Sequence, residues 1–576
     1  MRSWSRRRRA ITLVVALGFV WGVAVTVLLV TAALSLASGA DTLQDVRAQA
    51  TIDDLTSDAT IADLDSAQHD FGSASGRISN PVVAPARLIP FVGRQIRGMD
   101  HLATSGRDGS EAAAAALTEV QGLSEGSQEG GPARVAMLRD LAAVADDLHG
   151  ELAALDVGSA TGLVGPLHDA VADAAEGQRS AERGAKQLTT ASGALADLFE
   201  GPSSYLLLGA NNGEMRAGSG MFLSAAELRF EDGRAELSDV RPTADLTLPE
   251  GAVTATGDLQ ANWGWLDPGR DLRQLGVSPD FPQSAETAVR TWEAIPGNGP
   301  VSGVIVIDVD GIRSLLRVVG PVEVDGVRYT ADNVRGQLLR EQYQRYEDDR
   351  AERRDVLGDV AKVIFQRIEA GDWKLSDLAT QLTDSVAARH LMVWSADDPL
   401  QSTWADLGAD GHLRSSSLTV NLLNRSANKL DSWVDTSADV TTERRSDGRT
   451  DLTVSYRIDN RSNGEGPRYL VGPGIEGLAA GDYRGLVVAN LPAGATDVTI
   501  DGARRFLDGG DGPTAVVAGE VTVKAGTSTT VTVTAVLPEG LRQLTIEPTA
   551  RIPRTRWSID GVEVDKAGRT VVRIPG

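Results

Sequence analysis

The amino terminus limits what this chain can become more than any other stretch. Arg2 and Arg6 to Arg9 precede an apolar run from Ala10 to Ala37, long enough at about 1.5 Å per residue to cross the roughly 30 Å hydrocarbon layer of a bilayer. The run predicts a membrane-spanning helix. Positive charge on its leading side predicts a cytoplasmic amino terminus and places the bulk of the chain outside, in the extracellular space. Ser38-Gly39-Ala40 would also suit a signal peptidase. The apolar core of a cleaved signal usually stops near ~15 residues, so an uncleaved single-pass anchor in the cell membrane is expected.

At 576 residues the remainder is too long for one core and should form several domains. The net charge of -23 argues against nucleic acid, because a duplex-binding surface needs clustered Lys and Arg. The absence of cysteine excludes disulfides, thiolate metal sites and cysteine nucleophiles. His69, His101, His149, His168, His390 and His412 lie far apart without HExxH spacing, and the GxSxG spacing of GLSEG (Gly122 to Gly126) falls in a stretch that reads as a turn or flexible link, not as a strand-to-helix elbow. A zinc or serine hydrolase is therefore not expected.

Four regions follow from the patterning. Residues 1–40 form the Arg-rich tip and the anchor. Residues 41–200 carry apolar residues at helical spacing, as in Leu138, Leu141, Ala145, Leu148, Leu152 and Leu155, and predict an α-helical stalk or bundle. Within it, the segment Pro81 to Gly93 interrupts a helix and exposes several apolar residues in what reads as extended chain. Packing on the bundle is the expected use, with a dip into the membrane surface as the alternative. Residues 201–415 alternate strand and helix signals and predict an α/β central domain with a mixed sheet. Residues 416–576 are short alternating runs separated by turn residues, which predict an antiparallel β-sandwich.

The central region opens on SYLLLGANNGEMRAGSGMF, Ser204 to Phe222. This reads as a strand, a polar loop and a second strand. Asn211, Asn212, Glu214 and Arg216 stand in the loop among glycines, as a recognition loop at a sheet edge requires, though Asn and Gly equally serve as turns. Trp263, Trp265 and Phe281 read as core plugs or as a stacking wall for sugar or lipid. Val301 to Val309 reads as a buried strand. Asp308 and Asp310 fall at its end, where metal-binding carboxylates are often found, and a helix-capping role suits Asp310 equally. Further on, Arg340, Arg345, Arg350, Arg353 and Arg354 cluster within fifteen residues. Guanidinium forks bind phosphate in bidentate fashion, although Glu347, Asp348, Asp349, Glu352 and Asp355 would neutralise such a helix face.

Four motifs in order, YLLLGANNGEMRAGSGMF, SPDFPQSA (Ser278 to Ala285), VSGVIVIDVDGIRSLLRVVGPVEVDG and SANKLDSW (Ser426 to Trp433), resemble the bacterial domain of unknown function 4012, found in membrane-anchored envelope proteins. That resemblance spans roughly Tyr205 to Leu491 and implies architecture more than activity. The pieces LLLGANNGEMR, VIVIDVDGIRSLLRVVGPVEV and DDRAERRDVL are more weakly similar to the LytR-CpsA-Psr phosphotransferases, exported glycopolymer ligases. The second resemblance implies that Arg350 and Arg353 grip the pyrophosphate of a polyprenyl-linked glycan. Arg340 or Arg345 would stand nearby, Arg216 or Glu214 opposite, and Mg2+ would assist. Two departures weigh against catalysis: AGSG (Ala217 to Gly220) replaces the Arg-Thr-Asp that would supply a metal-binding aspartate, and Arg354 stands where a Gln is expected. The expected function is binding of an anionic lipid-linked or wall glycopolymer precursor, with its transfer as a further step. A non-enzymatic scaffold contacting envelope proteins is the alternative.

Overall fold

The computed structural model describes residues 2–49, 57–124, 129–345, 350–564 and 567–574, with side chains described outside 2–19, 47–49 and 350–355. The chain is multidomain and divides into two compact units. One is Met1–Ser127 with Ala136–Ala196, the other Gln128–Val135 with Asp197–Gly576.

The first unit is helical. Its helices are α1 (Arg2–Gln49), α2 (Asp58–Ile78), α3 (Pro90–Ser124), α4 (Pro132–Ala153) and α5 (Gly165–Glu200), and the first residues of α4 and the last of α5 belong to the second unit. Within α1, Val20–Val46 is the single stretch among the described residues that is long and apolar enough to span a membrane. Ser57 caps α2 by accepting a bond from Thr60 N at 3.2 Å, and Asp58 and Arg77 sit at the ends that suit their charges. Leu64, Ala67, Phe71, Ala74 and Ile78 of α2 recur every three or four residues and are buried. Ala67, Phe71, Ala74 and Ile78 share a core with Val25, Ala32 and Leu36 of α1 and with Ile96, Met99 and Ala103 of α3. The Phe71 ring lies between two glycines: a Cβ on Gly39 would come within 2.9 Å of it, and one on Gly106 within 2.7 Å. The Pro81 to Gly93 break is not extended. It folds as turns leading into a 3-10 helix, Ala84–Leu88, because three prolines fix φ near the helical value and withhold donors.

The second unit is built on a mixed sheet. Its strands are β1 (Ser203–Met215), β2 (Gly220–Glu231), β3 (Arg234–Leu237), β4 (Arg241–Pro242), β5 (Gly303–Asp308) and β8 (Leu391–Ser395), in the order β3-β2-β1-β5-β8, with β4 on β2. β6 (Val322–Val324) and β7 (Val327–Tyr329) make a separate hairpin. β1 and β5 pair in parallel, from Tyr205 opposite Gly303 to Ala210 opposite Asp308, while β2 and β8 run antiparallel to their neighbours. Period-two alternation splits β1 between two cores. Leu206 and Leu208 join Val304, Val306, Trp263, Phe281 and Trp292 on one face. On the other, Ile307 meets Val309–Val319 (α7) and Arg350–Ala370 (α8). The long stretch around Trp263 holds a helix, α6 (Gly257–Trp263), and 3-10 turns at Gly264–Leu266 and Leu272–Val277.

The carboxy-terminal region is strand-rich. β9 (Ser417–Asn424), β10 (Val434–Arg444), β11 (Thr450–Asn460), β12 (Tyr483–Leu491), β13 (Thr496–Asp501) and β14 (Arg504–Asp511) come first. β15 (Thr514–Val523), β16 (Ser528–Leu537), β17 (Gln543–Ile546), β18 (Arg556–Ile559), β19 (Val562–Val564) and β20 (Thr570–Arg573) complete two six-stranded sheets, β13-β16-β11-β10-β18-β19 and β14-β15-β12-β9-β17-β20. The pairing is not wholly antiparallel: β18 joins β10 and β17 joins β9 in parallel. Both sheets feed one core. Leu423, Leu486, Val488, Val516 and Ala518 instead belong to the core of the central sheet, so the boundary expected after residue 415 runs inside one compact unit.

Candidate functional site

The parallel pairing of β1 and β5 ends with Ala210 opposite Asp308, at the carboxyl edge of β5, where open α/β sheets collect ligand-binding groups. Asp308 terminates β5 and caps α7: its Oδ1 accepts from the backbone N of Asp310 at 2.9 Å and of Gly311 at 3.0 Å. The cap was expected of Asp310; the strand ends at Asp308, so that residue takes the role. Its Oδ2 accepts from Asn212 Nδ2 and from His390 Nδ1, both at 2.7 Å. Asn212 is buried and also accepts from Val309 N at 3.2 Å, which ties the far end of β1 to the start of α7.

His390 lies just before β8, with Nε2 3.5 Å from Asp310 Oδ2. Burial alone would lower its pKa, but the carboxylates of Asp308 and Asp310 outweigh that and hold it above the ordinary histidine value. Burial would raise the Asp310 pKa, but bonds from Arg335 and the charges of His390 and Arg313 keep it below the usual carboxylate range. Arg335 grips Asp310 through Nε and Nη2 and is 44% exposed, so the cluster reaches from the interior to solvent. Arg313 gives Nε to Ala331 O at 2.8 Å, and burial, Arg335 and Arg317 all push its pKa down.

Asn211, Asn212 and Glu214, expected in a loop, instead continue β1, and only Arg216 to Ser219 make the turn before β2; the strand runs on into a second cluster. Asn211 donates to the Tyr343 hydroxyl at 3.0 Å and accepts from Gly213 N. Glu214 lies 3.3 Å from Lys429 Nζ and 3.7 Å from Arg216 Nη2. Lys429 is buried, with its ammonium 5.4 Å from the ring centres of both Tyr343 and Tyr469. Burial works against that ammonium, but Tyr343, Glu214 and Tyr469 hold its pKa above normal. Arg216 is buried too, donates to the carbonyls of Met215 and Asn424, and leaves Nε without an acceptor. Asp431 completes the joint. Its Oδ2 accepts from Met215 N at 2.9 Å and Asn424 Nδ2 at 2.8 Å, and its Oδ1 from Tyr483 Oη at 2.8 Å and Arg551 Nη1 at 2.7 Å.

Gly218 of the AGSG turn donates to Gly276 O, and a Cβ there would meet Ser278 O at 2.1 Å. The turn thus lies directly on the SPDFPQSA segment. Ser278 bonds Asp511 at 2.6 Å, and Asp280 accepts from His412 and Leu413 N. Burial pushes Asp511 up to about 6 against the bonds from Ser278 and Asn490. In this region Trp263 and Phe281 are core residues as expected, while the face of Trp265 is taken by Arg425 at 4.5 Å.

The expected ligand residues therefore separate. Asn211, Glu214 and Arg216 belong to the buried joint with Lys429, and Asn212 to the Asp308 cluster. Arg340 stacks on Trp433 at 5.0 Å, and Arg345 bonds Gln337 at 3.1 Å. Arg350, Arg353 and Arg354 begin α8, but their side chains lie outside the described residues, as do those of Glu347, Asp348, Asp349, Glu352 and Asp355. Farther along α8, Leu357 and Ala361 line a cavity of about 30 Å³ together with Leu207, Ser224, Val240 and Ile312, large enough for about one water. Asp308 and Asp310, expected as metal candidates, do not suit Mg2+. Their oxygens are spent on backbone N–H groups, Asn212, His390 and Arg335, and no group of three or more metal-ligating residues converges among the described residues. Sequence reasoning passed over Arg313, Arg335, His390, Lys429 and Asp431. Lys429 and Asp431 stand inside the quoted SANKLDSW motif and Arg313 inside VSGVIVIDVDGIRSLLRVVGPVEVDG, whereas no quoted motif contains Arg335 or His390.

Residues 200–343, a quarter of the chain, match the model of a family described as protein of unknown function (DUF4012). The match is narrower than the motifs led one to expect and leaves SANKLDSW outside it. No curated protein and no solved structure matches.

Proposed function

We propose that this chain, whose residues 200–343 belong to the DUF4012 family, is a single-pass envelope protein anchored by α1, with the amino terminus cytoplasmic and the bulk extracellular. Its central domain binds an anionic lipid-linked or wall glycopolymer precursor. One observation carries the ligand half of this reading: Arg313, on the helix that starts at the end of β5, lies within electrostatic reach of both Arg317 and Arg335. Arg317 bonds Gln381 at 3.1 Å, Arg335 spends two donor groups on Asp310 and Arg313 one on Ala331. A guanidinium has five N–H donors, so each arginine keeps donors beyond these bonds for a phosphate oxygen.

The surroundings of His390 favour binding over transfer. Its Nδ1 lies 2.7 Å from Asp308 and its Nε2 3.5 Å from Asp310, so neither ring nitrogen is placed to take a proton from an attacking hydroxyl. The weaker similarity to the LytR-CpsA-Psr enzymes thus bears on the ligand class and leaves the reaction aside. The test is native mass spectrometry of the detergent-extracted full chain, with and without Arg313→Ala and Arg335→Ala together. A co-purified polyprenyl phosphate that the double variant loses supports binding. An unliganded wild type, with wall glycan unchanged in a deletion strain, refutes it.

That negative result would favour the second reading, a non-enzymatic scaffold. It draws support from the burial of Asn211, Asn212 and Arg216 and from their engagement within the unit. On this reading the carboxy-terminal sheets act as a β-sandwich spacer or as a contact surface for other envelope proteins.

A further inference from the structure

The turn between α2 and α3 is apolar on the outside. Val82 is 39% exposed, Leu88 84%, Ile89 45% and Phe91 62%, while Val83 and Ala86 of the same turn pack inward on the α1 core. Four large apolar side chains on one short turn are more than a solvated loop tip ordinarily carries.

The turn lies alongside the apolar part of α1. Arg77 Nη1, at the end of α2, reaches Ser35 Oγ at 2.7 Å, and Trp21 Nε1 donates to Val82 O at 2.9 Å. From Ser35 back to Trp21 is fourteen residues, about 21 Å along a helix. The chain therefore leaves α2 near the outer end of the anchor and descends beside it. On α1 itself, Val20, Val23, Val27, Val30 and Leu34 are all exposed. Their alternating spacing of three and four makes one continuous stripe.

A segment entering hydrocarbon must satisfy its own backbone. Here Pro81, Pro85 and Pro90 have no N–H. Val82 N bonds Asn80 Oδ1, and the N–H groups of Val83, Ala84, Ala86, Ile89 and Gly93 find carbonyls within the turn. The one charge, Arg87, is paired with Asp100 at 3.3 Å and also bonds Ile78 O. Such a segment has few groups that need water.

We infer that the turn Pro81 to Phe91 is a second membrane contact, inserted into the bilayer beside α1, with Leu88, Ile89 and Phe91 in the acyl region. This rests on the reading of α1 as the anchor. The occupant is the lipid bilayer, because the turn packs against Trp21 inside the apolar span, whose other face is the exposed stripe, and a span immersed in hydrocarbon carries what packs beside it into the same layer.

The chain has no cysteine, so single cysteines can be labelled in the full-length protein without background. Leu88→Cys, Phe91→Cys, Val27→Cys and Ala181→Cys, each carrying an NBD fluorophore, would be reconstituted in phosphatidylcholine and phosphatidylglycerol vesicles with or without doxyl-labelled lipid. The expected result is blue-shifted emission and strong doxyl quenching at Val27, Leu88 and Phe91, with neither at the exposed Ala181. Quenching at Val27 but not at Leu88 and Phe91 overturns the inference and leaves the anchor standing. Emission at Leu88 that is blue-shifted but unquenched means that protein covers the turn, and also overturns it. An unquenched Val27 overturns the anchor reading itself, and the inference with it.

Discussion

Asp431→Asn is nearly isosteric, so it tests charge without opening a cavity. Asp431 and Arg551 are each 1% exposed and 2.7 Å apart, and all four side-chain bonds to Asp431 come from donors. An asparagine would turn an N–H2 toward at least one of them and leave the Arg551 guanidinium buried without its counter-charge. Breaking a buried pair by removing one partner costs about 3–5 kcal/mol. The second unit's roughly 390 residues imply an unfolding entropy of about 0.8 kcal/mol/K, so Tm should fall by about 4–6 °C. Intrinsic fluorescence isolates that unit, because only Trp4 and Trp21 of the ten tryptophans lie outside it. Asp435→Asn, in an exposed pair with Arg461, is the control and should cost under about 1 kcal/mol. Adding Arg551→Met to Asp431→Asn should recover part of the loss, since the stranded charge goes with it. Equal effects from Asp431→Asn and Asp435→Asn, or a double variant that simply adds the two losses, would refute the reasoning.

The acid-side behaviour of Asp511 should run opposite to that of most carboxylates. Its folded pKa, about 6, is raised above 3.8 by burial, so the folded state holds the proton more tightly and this group's contribution to stability falls as pH rises between those values. Asp511→Asn should therefore gain in Tm relative to wild type between about pH 4 and 6, by at most about 3 kcal/mol equivalent, and a flat difference would count against the assignment. His390 has the raised value of a partnered base. Its contribution is present below about pH 6.5 and lost as pH rises through the folded value, so His390→Gln should cost more at about pH 5.5 than at about pH 9 in urea unfolding. Gly218→Ala should lower stability by about 1–3 kcal/mol through the clash with Ser278 O; an unchanged denaturation midpoint would mean that the turn shifts freely.

Periodicity made much of this architecture legible. Leu138, Leu141, Ala145 and Leu152 lie on a helix as their spacing requires, and Val304 and Val306 on a buried central strand. Pairings that close over long separations left no such trace. β17 and β18 return to lie parallel to β9 and β10 more than a hundred residues earlier, where local alternation looks the same for either direction. The sites divide in the same way. Asn212 was found because it stands in a conspicuously polar stretch, which the structure makes part of β1, but its partner His390 is 178 positions away, and only the fold joins them through Asp308. Arg216 looked like a ligand group by residue type. It is instead enclosed by Glu214 and two carbonyls, an outcome that depends on Asn424 arriving from another sheet.

The short segment Gln128–Val135 sets a limit on how this chain can be divided. It belongs to the second unit although the residues on both sides of it belong to the first. There Gly131 N bonds Gly233 O, and Arg134 lies over the Phe199 ring and pairs with Glu369 at 2.6 Å. A fragment starting at Asp197 would carry Phe199 and Glu369 but not the arginine that covers one and neutralises the other. Any expression boundary, protease nick or recombination event that treats residue 197 as a clean seam would therefore deliver an incomplete module, and a soluble version of this protein has to begin upstream of Gln128.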